Sequence, residues 1–568
     1  MTMSSINPAS TPSSDDGARR AEGSVSRRAF LAGAGALVTA TSASGAMGAR
    51  PALASQASDS EDAPDGGYVT SDPAYDEAID ADVVVMGAGM SGTAAALQAS
   101  ELGASVVVLE ANDATGGNGQ LTEGIAAIDS SMSKELGIQI DPAQVVHDEL
   151  EFFNYRVNAL FWMDAIRNSG ENLDWMIDNG AQFDGTVDDD RGNGNVRTFH
   201  WFKDRMGVNA TQPLLDKAAA NGAQVLCGTR GRQLVMSEGK VSGIVAERSD
   251  GTRLLVRCKA VIFASGGYGA NYDLMVARGC PTVFYDKCNA ANRGDALLMA
   301  KAAGGVDVTA NSALLFSVTI PSLSFLESFF LQTFGQTLLV NERGERFTDE
   351  SCGKTAAIGC YLNTISLQKE TYAILSPAIL DVMEGQKEGM RDKIVSACTG
   401  RELAAESSSS DAIGGDQVQD SVLGTLYGVD GEQKTAFWGS TVEELAESIG
   451  IDAETLKATV ERYDSLCAEG SDRDFGKPSK LMTSLGDAEE YYALRVYPGY
   501  ATSIGGIKTD RNAQVVDAHG EPVPGLYAVG CDGAMTYRET YTIEVPGSCN
   551  MNNVNSGRTA ARHAVANL

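Results

Sequence analysis

Residues 82–110, DVVVMGAGMSGTAAALQASELGASVVVLE, restrict the fold more than any other stretch of the chain. An apolar run, Val83–Met86, enters a turn Gly87-x-Gly89-x-x-Gly92; an Ala-rich helix and a second Val-rich run ending in Glu110 follow. Each glycine has a physical task. Gly87 permits the tight turn, Gly89 admits a pyrophosphate against the backbone, and Gly92 lets helix and strand pack closely. The helix start offers N–H groups and the positive end of its dipole to phosphate. Glu110 is placed to accept a bond from a ribose hydroxyl, and its charge disfavours a 2′-phosphate. Ala88, Ser91 and Ala111 complete the expected lining of a dinucleotide site.

At 568 residues the chain is long enough for two or three domains. A formal net charge of −31 argues against nucleic acid as a partner, since phosphate binding needs clustered Lys and Arg. No apolar run of about 18 residues is free of strong interruptions, so no stable transmembrane segment is expected. At the N-terminus, Ser26-Arg27-Arg28-Ala29-Phe30-Leu31 precedes a mildly apolar run to Ala46 and a small-residue cleavage candidate, Ala52-Leu53-Ala54. That pattern resembles a twin-arginine export signal, the alternative being a disordered basic tail. Such a route carries folded proteins, which suits a chain that must first take up its cofactor, and it predicts a periplasmic or other extracytoplasmic destination. The expected division is a signal over 1–54 and a Ser/Asp/Gly-rich linker over 55–78. The ten cysteines form no C-x-x-C, so no zinc ribbon, iron–sulfur run or attached haem is predicted. Cys280/Cys288 and Cys352/Cys360 are candidate disulfides of an exported protein, with buried free thiols the default.

A second Gly-rich segment, Gly116-Gly117-Asn118 followed by Gly124, follows Glu110 closely. A nicotinamide cofactor has no need of it. A flavin does, because its ribityl chain and ring must also lie against backbone, so the cofactor expected is FAD. Ala264-Ser265-Gly266-Gly267 again puts bare backbone at the end of a buried strand, where ligands bind in open α/β sheets. Residues 141–180 read as helical, with Trp162, Ile166, Leu173, Trp175 and Ile177 at core spacings. Residues 222–246 read as strands turning at Glu238-Gly239. Thr441 with Glu444, as a capping box, and Asp452 with Thr455 open two helices. Residues 313–335 are strongly apolar and 402–435 polar and Gly/Ser-rich, which suggests an inserted domain with mobile loops. Pro524–Gly530 is a further strand ending in glycine, and Ser556 opens a final helix.

These segments together resemble the flavoprotein family of fumarate reductases, succinate dehydrogenase flavin subunits and 3-ketosteroid dehydrogenases. The matching stretches include Glu110…Gly116-Gly117-Asn118, Ala264–Gly267, Gly294-Asp295, Asn341-x-x-Gly344-x-Arg346-Phe347-x-x-Glu350, Thr459–Tyr463, Asp472–Lys477, Gly505-Gly506-Ile507, Pro524–Gly530 and Ser556-Gly557-Arg558, covering roughly 80–568. The resemblance implies an α/β fold: a Rossmann-like FAD-binding domain (79–312 and 503–568) with an inserted α+β capping domain (313–502). It adds Asp295, Gly530, Asp532 and Ser548 to the expected FAD contacts. The family's covalent attachment uses a histidine after the Gly-Gly pair; Asn118–Gly124 has none, which implies non-covalent FAD. Haem motifs and an FMN module are also missing, so electrons are expected from a separate donor protein, a cytochrome or an FMN protein.

The departures bear on the substrate. The family's dicarboxylate-binding Thr-Glu-x-x-Arg falls by spacing on Phe329-Phe330-Leu331-Gln332-Thr333, a substrate-binding histidine on Thr502, and the C-terminal His-Gly-x-Asn-Arg on Tyr541–Ser548. A closed site for two carboxylates needs bidentate arginines, and without them the burial is uncompensated. Fumarate is therefore disfavoured, and Phe329 and Phe330 point to an apolar or aromatic substrate. Lys354 stands where the family has its proton-donating arginine, and Tyr541 where related enzymes place a tyrosine; both are candidate proton donors. Glu544, Arg538 and Tyr537 are weaker candidates on the same loop, and His147, His200, His519 and His563 match no catalytic position. The expected activity is a respiratory-type reduction of a C=C bond conjugated to a carbonyl in a small unsaturated molecule. The alternatives are a ketosteroid-type dehydrogenase running in the desaturating direction and a flavin-binding protein without turnover.

Overall fold

The computed structural model describes residues 67–189, 196–311, 313–356, 359–401, 425–429, 433–533, 536–538, 540–542 and 544–568. The export-signal stretch and most of the Gly/Ser-rich 402–435 segment lie outside these residues.

Strand β1 (Val83–Met86) is buried on both faces, and its side chains serve two different cores. Val83 and Val85 join one core with the alanines of helix α1 (Met90–Glu101), while Val84 and Met86 join the other. That division follows from the period of two along a strand. On one side of β1 stand β2 (Val106–Leu109) and then β3 (Gln224–Leu226). On the other stand β4 (Ala260–Phe263) and, from the far end of the chain, the strand Pro522–Ala528. All five run parallel, and Gln514–Val516 closes the edge antiparallel. Met86 pairs with both Leu109 and Phe263, so the C-terminal ends of β1, β2 and β4 are level. Gly87, Glu110 and Ala264 emerge there together.

Residues 141–180 form two helices, α2 (Pro142–Phe152) and α3 (Ala159–Asp178), where the sequence reads as one helical region. The break falls at Asn154 and Tyr155, whose φ of 52° and 58° leave the helical region. Asp141 and Asn158 cap the two starts. Trp162, Ile166 and Leu173 are buried, whereas Trp175 is half-buried with its indole N–H on Glu101 at 2.9 Å, and Ile177 is exposed at the helix end. The predicted turn at Glu238-Gly239 joins Thr229–Ser237 to Lys240–Arg248, with positive φ at both residues, as such a hairpin requires.

Strand β5 (Phe284–Asp286) belongs to a second sheet with β6 (Ala313–Thr319) and β7 (Tyr497–Ile504), in which Leu315 stands opposite Thr502. Helix α4 (Phe325–Phe334), opened by a Ser324/Glu327 capping box, packs on β6. The short helix α5 (Cys352–Thr355) presses against its end: a Cβ on Gly353 would lie 2.3 Å from the Gln332 carbonyl. A third sheet, Leu338–Asn341, Thr371–Leu375, Tyr491–Arg495 and Ala436–Gly439, completes this half. Thr441 and Asp452 cap their helices as expected, but the Glu444 carboxylate accepts from Ser440 N–H rather than from the cap residue. The final helix α6 runs Ser548–Ala566, beginning eight residues before Ser556.

Four charged groups tie the cap motifs together. Arg346 bonds Glu350 (Nε–Oε1 2.8 Å) and Asp472 (Nη2–Oδ2 2.8 Å), and Lys477 Nζ lies 3.2 Å from Glu350 Oε2. Lys477 also donates to the Thr337 carbonyl at 2.8 Å and the Tyr463 hydroxyl at 3.0 Å. No side chain in these pairs is more than 6% exposed. Burial pushes the Asp472 carboxyl up, yet bonds from Arg346 and the Lys477 and Phe475 N–H groups hold it well below the usual range. The net is satisfied only as a set. Glu350→Gln leaves two buried cations facing one carboxylate and is expected to cost about 3–5 kcal/mol. Urea unfolding of the variant checks this through a markedly lower midpoint.

Candidate active site

The glycines of the first turn divide by what surrounds them. Gly87 has φ +115°, and a Cβ there would lie 2.2 Å from the Ala264 carbonyl oxygen. A Cβ on Gly92 would lie 1.9 Å from the Gly87 carbonyl oxygen. Both are glycine because protein backbone occupies the space. Gly89 differs: its φ of −80° suits any residue, and a Cβ would meet nothing nearer than Gly116 O at 3.9 Å. The ground over Gly89 is open, and α1 starts there without a side-chain cap, leaving its first N–H groups to a ligand. Gly116 and Gly117, at φ 107° and 51°, bring the second Gly-rich segment alongside, with Gly116 bridged to Gly89. Asn118 Nδ2 donates to the Ala501 carbonyl at 3.3 Å.

The buried Glu110 carboxylate accepts from Ala88 N–H and Asn112 N–H, both at 2.9 Å, so it braces the turn as well as facing the site. Ala111 is half-buried beside it. Gly124 lies in a strand, where a Cβ would strike the His200 carbonyl at 2.5 Å; packing alone accounts for this glycine. Asp532 accepts from the N–H and Oγ of Ser265 and from Gly267 N–H at 2.9 Å. Burial raises its carboxyl to about 6 against the pull of these bonds. Gly266 and Gly267 follow, both at positive φ. Asp295, at the start of the helix Asp295–Ala302, is held bidentately by Arg230 at 2.9 and 3.0 Å. Gly530 comes so close to α1 that a Cβ would lie 2.4 Å from Ser91 Oγ. Ser548 opens α6, which also lacks a side-chain cap. Two uncapped helix starts, bare backbone over Gly89 and positioned carboxylates fit FAD.

Around the start of α6 lies an aromatic cluster. Tyr537 donates to Ser548 Oγ at 2.9 Å and packs on Trp162 and Tyr541, with ring centroids 5.9 and 5.1 Å apart. Burial pushes the Tyr541 phenol well above its ordinary range, so it stays protonated, as a proton donor must. Arg538 donates to the Arg156 carbonyl, and Glu544 sits half-buried beyond it. Thr502, on β7, hydrogen-bonds the Cys531 thiol. On the cap side, Phe329 belongs to the core, whereas Phe330 keeps part of its ring accessible, 5.7 Å from Phe334. Lys354 is half-buried at the end of α4, its Cβ 3.5 Å from where one on Gly335 would stand. The two sides connect through the second sheet, since Thr502 faces Leu315 on β6 and Gln332 of α4 accepts from Val318 N–H at 3.2 Å. Lys387 Nζ stands 5.5 Å over the Phe330 ring, a cation near the wall that sequence spacing did not reveal.

Other groups had no sequence signal. Lys287, just past β5, has its ammonium drawn down to about 7 by burial, with Nζ 3.4 Å from the Val318 carbonyl. Glu149, on α2, is fully buried and accepts from Thr542 Oγ1 at 3.1 Å, while its second oxygen has no hydrogen-bond partner among the described residues. Burial raises its carboxyl to about 8. His200 is buried and drawn down to about 4, its ring held between Ser130 and the Thr198 carbonyl, which is a structural role.

Two expectations follow. Gly89→Val should leave the far-ultraviolet circular dichroism unchanged while lowering bound flavin at least about tenfold, because only a ligand competes for that space; the ratio of flavin to protein absorbance measures it. Glu149 titrates near about 4.3 unfolded and about 8 folded. Its stabilising proton is therefore fully in place below pH ~4.3 and lost as pH rises through about 8. Glu149→Gln should gain on the parent in thermal midpoint as pH rises from about 5 to 9, and a constant difference would count against this assignment.

The family model described as FAD binding domain matches residues 82–542. The vinyl phenol reductase of Lactiplantibacillus plantarum is 28% identical over 500 residues, 85% of this chain and 96% of that protein. The NADH:fumarate oxidoreductase of Klebsiella pneumoniae is 26% identical over 475 residues; the match spans 82% of this chain but only 45% of that longer protein. Among solved structures, the open conformation of a flavocytochrome c3 fumarate reductase superposes with TM-score 0.60 at 20% identity, covering 87% of this chain and 79% of that one. The chain belongs to the FAD binding domain family, and it is an FAD-dependent oxidoreductase of the fumarate reductase-like group.

Proposed function

We propose that this protein reduces a carbon–carbon double bond conjugated to a carbonyl or a hydroxyaryl ring, in an apolar or aromatic substrate rather than fumarate. One observation carries the reading. Phe330, the accessible member of the Phe329–Phe330 pair, presents an aromatic wall where a dicarboxylate would need an arginine. The similarity to a vinyl phenol reductase over nearly that protein's whole length supports an aromatic alkene.

Gly87–Gly92, Glu110, Gly116–Asn118, Ser265–Gly267, Asp295, Gly530, Asp532 and Ser548 would hold FAD, without covalent attachment, since no histidine lies between Asn118 and Gly124. Bound there, FAD supplies hydride from N5 to the substrate carbon. The chain's own residues do the rest. Phe330 and Thr502 orient the alkene, and Lys354 Nζ or the Tyr541 hydroxyl delivers the proton to the neighbouring carbon. Donors fixed near the substrate oxygen stabilise the enolate-like charge, usually the largest contribution to rate. Electrons reach the flavin from a separate donor protein. The twin-arginine pattern at 26–31 places the working enzyme outside the cytoplasm.

The test is anaerobic reduction of the purified holoprotein by a viologen dye, followed by enones, cinnamate-like acids, vinyl phenols and steroids. Reoxidation of the flavin by aryl alkenes but not by fumarate is expected. Lys354→Met should slow that reoxidation by about 10²–10⁴ with the flavin spectrum intact. An unchanged rate would move the role to Tyr541, tested by Tyr541→Phe. Oxidation of a saturated ketosteroid with an artificial acceptor, and no reoxidation by any alkene, would support the desaturating direction instead; silence in both assays would support a flavin-binding protein without turnover.

A further inference from the structure

The cleft wall contains a pair of thiols that the reaction above does not use. Cys531 follows the strand Pro522–Ala528, and its carbonyl accepts from Gly505 N–H at 2.9 Å. Cys549 lies in the first turn of α6, where Asn553 Nδ2 donates to its Sγ at 3.9 Å. The two thiols hydrogen-bond each other. Both residues keep accessible surface while protein crowds around their sulfurs, the combination expected of a cleft wall rather than a sealed core. Cys258 and Cys398, by contrast, are buried outright. The neighbours of the pair belong to the site: the Thr502 hydroxyl bonds Cys531, Tyr541 packs near Cys549, and Asp532 and Ser548 are the adjoining residues.

We propose that Cys531 and Cys549 form a reversible disulfide in the wall of the cofactor cleft, giving the protein a two-electron couple besides its flavin. Cys549 is the attacking sulfur. The hydrogen bond from Cys531 favours its thiolate, whereas burial and the same bond keep Cys531 a thiol. With an azodicarboxamide oxidant such as diamide, the Cys549 thiolate adds to one nitrogen of the N=N bond. The Cys531 sulfur then attacks Cys549 Sγ, the S–N bond breaks, and the hydrazine leaves with both electrons and both protons. A dithiol reverses the change by exchange through a mixed disulfide. Closure ties the strand end bearing Gly530 and Asp532 to the helix start bearing Ser548, so the couple's state sets how freely these cofactor-facing segments move. The proposal rests on the location of the FAD site and not on the substrate.

The test uses the holoprotein without turnover. After diamide treatment and removal of the reagent, the denatured protein should show two fewer free thiols, and peptide mapping should join Cys531 to Cys549. Dithiothreitol should restore both thiols. Cys549→Ser and Cys531→Ser should each abolish the link, while Cys227→Ser, at an exposed cysteine, should leave it. Unchanged thiol content overturns the proposal, and so does a link joining Cys280 to Cys288 or Cys352 to Cys360 instead. Mapping of the unsubstituted protein decides the matter even if a serine variant fails to fold.

Discussion

The cofactor half of this protein depends on backbone touching backbone where no side chain fits. The Gly87 carbonyl oxygen stands 1.9 Å from where a Cβ on Gly92 would begin, the Ala264 carbonyl 2.2 Å from one on Gly87, and Ser91 Oγ 2.4 Å from one on Gly530. These approaches draw together the ends of β1 and β4, the start of α1 and a strand from the far end of the chain. They leave Gly89 alone with open space above it. The site exists because three glycines are consumed by packing and one is not.

The cap is held by a different physics. Arg346, Glu350, Asp472 and Lys477 are sealed from water and satisfied only by one another and by Tyr463 and Thr337. A buried net of this kind adds little stability over an apolar substitute, but it tolerates no missing member. It fixes the segment 341–350 relative to 463–477, and through α5 it sets where Lys354 stands against α4. The motifs matched along the cap sequence thus work as a brace, at one remove from the substrate wall.

The flavin turn was readable from residues 82–110 because a single chemical demand, backbone against phosphate, leaves a local pattern of glycines. The hairpin at Glu238-Gly239 and the caps at Thr441 and Asp452 were readable for the same reason, each being settled within a few residues. The break at Asn154–Tyr155 was not, since the apolar period runs on into α3 and only packing decides where one helix stops. The early start of α6 was hidden because residues 548–555 have no apolar stripe and take their burial from α1 and α3. Lys287, Glu149 and the Cys531–Cys549 pair carry no signal at all, as their partners lie distant in the chain.

By itself the sequence determined a dinucleotide turn, the flavin that the second Gly-rich segment requires, and a wall without arginines, since each depends on which residues stand at fixed local spacing. Only the tertiary structure decided which glycine faces ligand and which faces protein, which phenylalanine keeps surface to offer, and which two cysteines meet. Those outcomes depend on distances between segments hundreds of residues apart, and burial and proximity are set when the strands and helices close on one another.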